Sequence, residues 1–160
     1  MDQKRKEQFC KLVKNVSKKM YCVAYHILEN EEDSKDIVSE AIATAYEKFG
    51  TVREEEKFNT WILAIVANKA KNYRRVRKRE FLGKAEEYAE EQGQWDSYNE
   101  WEDIIEKIPQ PYKLVLKLYH CEDYNISEIS KILKIPKGTA KSRLARGERI
   151  LRKEFRGENT

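Results

Sequence analysis

Turn-forming residues are scarce in this chain of 160 residues: it has six glycines and three prolines. A β-sandwich or barrel needs turn residues every few positions, so those folds are excluded and long helices are expected. Cysteines are few and odd in number, and no two are spaced CxxC. They imply no disulfide framework and fit a reducing compartment. Only two histidines are present, His26 and His120. Cys22 and His26 lie one helical turn apart, but two ligands fall short of the four of a structural zinc site. No metal and no cofactor are expected. No apolar run approaches the ~20 residues of a membrane span. The start, Met1-Asp-Gln-Lys-Arg-Lys-Glu, has no apolar signal core. A cytoplasmic location without membrane insertion is therefore expected. Glycine-rich phosphate loops and Ser/His/Asp sets are also missing, so the chain is not expected to be an enzyme.

Charge is abundant. Acidic and basic residues make up 38% of the chain, and mean hydropathy is −0.86. The 40% apolar share still supports packed cores. The fold class predicted is all-α: two small helical domains, 1–80 and 100–160, joined by an acidic flexible linker at 81–99. In the first, apolar residues recur at three- and four-residue steps from Phe9 to Ile27, giving a helix over about Lys4–Leu28. Asn30–Asp33 reads as a charged break. A second helix is predicted from Ser34 to Phe49, stopped by Gly50. A third opens near Phe58 and runs into a basic segment. In the linker, Glu86, Glu87, Glu90, Glu91 and Asp96 outnumber the cations.

The second domain is predicted to hold short helices at Glu102–Ile108 and Tyr112–Tyr119. Asn125 is a helix N-cap with Glu128 at the capping-box position. The helix it opens ends near Lys134. The turn Ile135-Pro-Lys-Gly138 and a basic helix over Thr139–Phe155 follow. A short helix, a tight turn and a longer basic helix describe a helix-turn-helix.

The net charge of +4 hides segregation. Lys69–Arg79 holds seven cations and no acid. Lys137–Arg156 holds eight cations against Glu148 and Glu154. Glu29–Glu40 is acidic except for Lys35. Two basic surfaces on separate domains suggest two contacts to a polyanion. The acidic helix would be repelled by DNA, so it meets either a basic protein or solvent.

Three segments resemble parts of bacterial sigma factors. Asp33-Ser-Lys-Asp36-Ile-Val-Ser-Glu40 is similar to the acidic helix that grips core RNA polymerase. Phe58-Asn-Thr-Trp61-Ile-Leu-Ala-Ile65-Val-Ala-Asn68, with Arg74-Arg75 after it, resembles the promoter-melting helix. Glu128-Ile-Ser and Ile135-Pro-Lys-Gly138-Thr139-Ala-Lys-Ser142-Arg143-Leu144-Ala-Arg146 resemble the helix-turn-helix that reads the upstream promoter element. Their order is the family's, and the chain has no room for the extra domains of housekeeping members. The group resembled is therefore the small extracytoplasmic-function (ECF) group. Departures are Ser39 for the usual Gln, Asn72 for an acid, Ala140 for Val and Gly147 for Ala.

The resemblance implies partners and site residues. Asp36, Ile37, Ser39 and Glu40 would dock on the polymerase clamp, with Ile37 and Ala41 supplying apolar contact. Asn59, Asn68, Lys71, Tyr73, Arg74 and Arg75 would bind and melt the −10 element, which needs stacking and polar groups over a cationic track. Trp61 is assigned to the core. Thr139, Lys141, Ser142, Arg143, Arg146 and Arg149 would meet the −35 element; Lys141, Arg143 and Arg146 can each reach guanine or phosphate. An anti-sigma protein is a further implied partner. It could wedge between the two domains, whose DNA and polymerase faces are expected to be exposed in the free chain. The alternative is a helix-turn-helix regulator that never engages polymerase.

Overall fold

The computed structural model describes residues 2–51, 54–80 and 100–156. Among these there are helices and turns but no strand. The predicted linker, 81–99, lies outside the described residues, as do two residues of the loop before the third helix.

Helix α1 spans Gln3–Leu28, and Asp2 caps it by accepting from the Arg5 N–H at 2.8 Å. Helix α2 spans Glu31–Lys48. It starts three residues before the predicted position, because Asn30 is its N-cap and accepts from the Asp33 N–H at 2.9 Å. The supposed charged break is thus the helix's first turn. There Glu31, Glu32 and Asp33 face the positive end of the helix dipole. Gly50 does not end α2 in a left-handed conformation: Phe49 caps it and leads into a short 3-10 turn, Phe49–Thr51. Helix α3, Glu55–Glu80, opens three residues earlier than predicted.

Phe9, Phe49 and Phe58 pack edge to face, with centroids 5.1–6.1 Å apart. Such pairs contribute about 0.5–1.5 kcal/mol each beyond their burial. Arg5 covers the cluster, its guanidinium 4.3 Å from the Phe49 centroid and donating to the Phe49 carbonyl. At the other end Arg74 donates to the Ile27 carbonyl at 3.4 Å. Phe9 beside Phe58 and Ile27 beside Arg74 make α1 and α3 parallel neighbours. Trp61 is half-buried against the core and tilted on Phe58.

The second block comprises α4 (Glu100–Glu106), α5 (Tyr112–Leu116) running into a wide π-turn (Lys117–Cys121), α6 (Ile126–Leu133) and α7 (Lys137–Phe155). Ile129, Ile132, Ala140, Leu144 and Leu151 close its core with Leu114–Leu118. Gly147 is buried in α7, where a Cβ would lie 2.8 Å from Leu116 Cγ. A glycine here permits close approach of α5.

The two domains pack on one another. Helix α3 lies along α6, and one continuous apolar cluster runs through both. Polar links stitch the seam. Lys71 Nζ donates to the Leu133 carbonyl at 2.8 Å. His26 meets Glu122 at 3.0 Å. Lys113, 8% exposed, bridges Glu29 at 3.1 Å and Glu106 at 2.9 Å.

Candidate polymerase and DNA interface

On α2, Asp36, Ser39 and Glu40 are exposed, and Glu40 follows Asp36 by one turn. Ile37 is 3% exposed and Ala41 is fully buried. They belong to the core, so the expectation of apolar docking contacts from these two is corrected. The outward set is Asp36, Ser39 and Glu40, supported from beneath by Ile37. Asp33 is committed elsewhere, since it accepts from the Tyr73 hydroxyl at 3.1 Å and pairs with Arg77. That contact ties the basic end of α3 to the first turn of α2. Lys35 pairs with Glu31 along the same helix at 3.2 Å.

On α3, Asn59, Asn68, Tyr73, Arg74 and Arg75 are exposed. Arg75 donates to Asn72 Oδ1 at 3.2 Å, so the residue that replaces the family's acid orients the arginine without neutralising it. The Tyr73 hydroxyl sits in a chain with Asp33 and Arg77, and the Arg77 guanidinium lies over its ring at 5.8 Å. Lys71 stands apart from this group. Burial, and then the nearby Arg143, push its ammonium pKa down, and its hydrogen bond to Leu133 is made across the seam. Not every residue expected to meet DNA is exposed, since Lys71 is half-buried against the end of α6.

The helix-turn-helix is built by local chemistry. The Asn125 side chain accepts from the Glu128 N–H at 2.8 Å, and Glu128 returns the bond to the Asn125 N–H at 3.0 Å. Such a cap stabilises a helix by roughly 1 kcal/mol. Lys134 ends α6 in a left-handed conformation, φ 55°, with its N–H on the Ser130 carbonyl. The Ser130 hydroxyl donates to the Ile135 carbonyl at 2.6 Å and fixes the turn. Pro136 precedes α7, which begins at Lys137, two residues before the predicted start. On α7, Lys141, Ser142, Arg146 and Arg149 are exposed, while Thr139 and Arg143 are half-buried. The Ser142 hydroxyl donates to the Thr139 carbonyl, so only its lone pairs are left to offer an outside partner. Arg146 lies over the Tyr112 ring, 5.3 Å from its centroid.

A third basic face was not anticipated. Lys4, Lys6, Lys11, Lys14 and Lys18 are exposed along α1. Lys4, Lys11, Lys14 and Lys18 share one side of the helix, with Glu7 the acid among them. Each histidine also has a carboxylate partner that spacing could not reveal, Glu122 for His26 and Glu148 for His120 at 3.1 Å. Among the described residues no three His, Cys, Asp or Glu side chains gather as a metal site.

Comparison with known proteins adds to this geometry. The family model for sigma-70 region 2 matches residues 12–80, and that for sigma-70 region 4 matches residues 98–151. The chain is 29% identical to the ECF RNA polymerase sigma factor SigW of Bacillus subtilis, over 94% of this chain and 90% of that protein. It is 28% identical to RNA polymerase sigma factor SigV of the same organism, over 87% and 86% respectively. Among solved structures it resembles the sigma factor RpoE of Bartonella quintana, solved in complex with the anti-sigma factor NepR. The TM-score there is 0.75 at 16% identity, covering 96% of this chain and 99% of that one. At that identity the likeness concerns the fold.

Proposed function

The chain belongs to the sigma-70 family and within it to the ECF sigma factors, and on that premise we propose how its surfaces divide the work of initiating transcription. Residues 1–80 form the unit that docks on core RNA polymerase and melts the −10 element. Residues 100–160 form the unit that reads the −35 element, and 81–99 joins them. The chain acts by binding, without chemistry of its own, in the cytoplasm where polymerase and promoter DNA are found. None of its described helices is long and apolar enough to cross a membrane.

Asp36 and Glu40 supply two carboxylates on one exposed face, matched to arginines or lysines of a clamp. Asn59, Asn68, Tyr73, Arg74 and Arg75, joined by Lys71 once α6 moves away, offer polar and stacking groups along a cationic helix. That combination suits a captured single strand. Helix α7 presents Lys141, Arg143 and Arg146 to the major groove. Thr139, through its backbone N–H, and Arg149 contribute phosphate contacts, which position the helix without reading sequence, while Ser142 offers its lone pairs to a donor on a base edge. An anti-sigma protein is the expected regulator, since RpoE and a second structural neighbour, CnrH, were both solved with a partner protein, NepR and the cytosolic domain of CnrY.

The observation that carries this reading is the succession in one chain of an exposed acidic helix, a basic helix packed on it and a capped helix-turn-helix. A regulator that ignores polymerase accounts for the last alone. Copurification with core polymerase, followed by promoter-dependent run-off transcription, tests it. Binding to promoter DNA without any binding to core enzyme would support the plain regulator instead.

A further inference from the structure

The seam between the two blocks contains polar atoms that the docking and DNA-reading roles do not use. His26, in α1, points its Nε2 at Glu122 Oε1 of the second block, 3.0 Å away. Its other ring nitrogen, Nδ1, is buried with no hydrogen-bond partner. Tyr124 of the second block, 6% exposed, likewise buries a hydroxyl that has no hydrogen-bond partner. Cys22 lies one turn before His26 on α1, close enough to Tyr124 and Glu122 for their charges to interact. From the second block Lys117 and Glu106 also act on the imidazole, the lysine opposing its protonation and the two glutamates favouring it.

We propose that His26 and Glu122 form an acid-released catch, which holds the two blocks together while His26 is neutral and lets them part when the imidazole takes a second proton. In the closed seam the neutral ring carries its proton on Nε2 and donates to the Glu122 carboxylate. The second proton must then go to Nδ1, where it finds no acceptor. A buried cationic N–H without a partner costs more than the bare lone pair it replaces. Attraction to Glu122 offsets part of that cost. Burial outweighs it and holds the imidazole below its ordinary value. The sign follows. A proton binds the open, solvated histidine more tightly than the closed one, so falling pH favours the open form. Each unit of depression changes the closed-to-open ratio about tenfold. Two orphaned polar atoms, Nδ1 and the Tyr124 hydroxyl, already weaken the seam and gain water on opening.

Opening has a consequence for the proposed function, and this part alone rests on that reading. Lys71 of the melting helix sits within electrostatic reach of Arg143 of the −35 helix. A compact chain of this length has a radius of gyration of roughly 15 Å. Promoter elements roughly 25 base pairs apart are separated by about 85 Å at ~3.4 Å per pair. The closed chain cannot touch both.

Small-angle X-ray scattering of the full chain at about pH 7.5 and about pH 5.5, either side of the free imidazole value, tests the catch without polymerase or DNA. The radius of gyration is expected to rise in acid while circular dichroism shows unchanged helix content. His26→Gln, which donates to Glu122 but does not titrate, should stay compact at both values. Glu122→Gln removes the counter-charge and should enlarge the acid response. Three results overturn the proposal: a wild-type chain equally compact at both pH values, expansion that tracks loss of helix, or a Glu122→Gln chain whose response is abolished. The last would place the proton on Glu122. Should His26→Gln not fold, the wild-type and Glu122→Gln measurements still decide. Failure of core-polymerase binding would overturn the sigma-factor reading and leave this result standing.

Discussion

Replacing Gly147 with alanine sets two effects of similar size against each other, and the structure says which wins. Alanine in a helix interior is favoured over glycine by about 1 kcal/mol. The new Cβ would lie 2.8 Å from Leu116 Cγ and 2.9 Å from its Cδ1. Carbon atoms in contact prefer roughly 3.5–4.0 Å. Leu116 is fully buried, and the nearer atom is its branch point, so no rotation of one methyl relieves the clash. Overpacking of this kind costs about 1–3 kcal/mol. The net expectation is destabilisation near 1 kcal/mol, a fall in Tm of about 2–4 °C for a chain of this size. Thermal unfolding followed at the helix band measures it. Leu116→Ala alone should cost about 2–5 kcal/mol through the cavity it leaves. Combined with Gly147→Ala it should cost less than the sum, because the new methyl enters that cavity. A higher Tm for Gly147→Ala, or strict additivity in the double mutant, would refute the close-approach argument.

Other outcomes follow from the same geometry. Lys134→Gly removes a Cβ from a left-handed cap and should stabilise the chain by about 1 kcal/mol, read as a higher Tm; a lower Tm would contradict the cap. Arg143→Ala or Arg146→Ala should weaken promoter occupancy by about 1–3 kcal/mol where the residue reads a base. In footprints a phosphate contact would instead reduce binding to promoter and scrambled DNA alike, with a shallower salt slope. Asn68→Ala, and Arg74→Ala with Arg75→Ala, should slow open-complex formation on duplex DNA and be rescued by premelted template. Failure of that rescue would move these residues to another step.

The elements most legible in the sequence are those whose signals are local. The apolar recurrence from Phe9 to Ile27 and the Asn125–Glu128 cap both mark helices, because a helix brings residues three and four apart together. The start of α2 was missed for a local reason too. Asn30 and Asp33 carry a capping signal, but a run of charge outweighed it. The seam is a different case. Lys71 bonds to a backbone carbonyl 62 residues away, and any residue presents such a carbonyl, so no side-chain pattern announces the contact. The placement of Gly147 against Leu116 is likewise set by tertiary packing. Among the site residues, the outward face of Asp36 and Glu40 was readable from spacing. The burial of Ile37 beside them depended on where α1 and α3 lie.

The central claim is that α2 docks this chain on core RNA polymerase, and charge reversal there tests it most directly. Asp36→Lys with Glu40→Lys changes two exposed side chains, so the fold should persist, as circular dichroism will show. Truncation of both to alanine removes an attraction; reversal adds repulsion at a partly desolvated contact. Pull-down with core polymerase should therefore rank wild type above the alanine pair and the alanine pair above the lysine pair, with run-off transcription in the same order. A folded lysine pair that binds core enzyme and drives transcription as wild type does would contradict the claim.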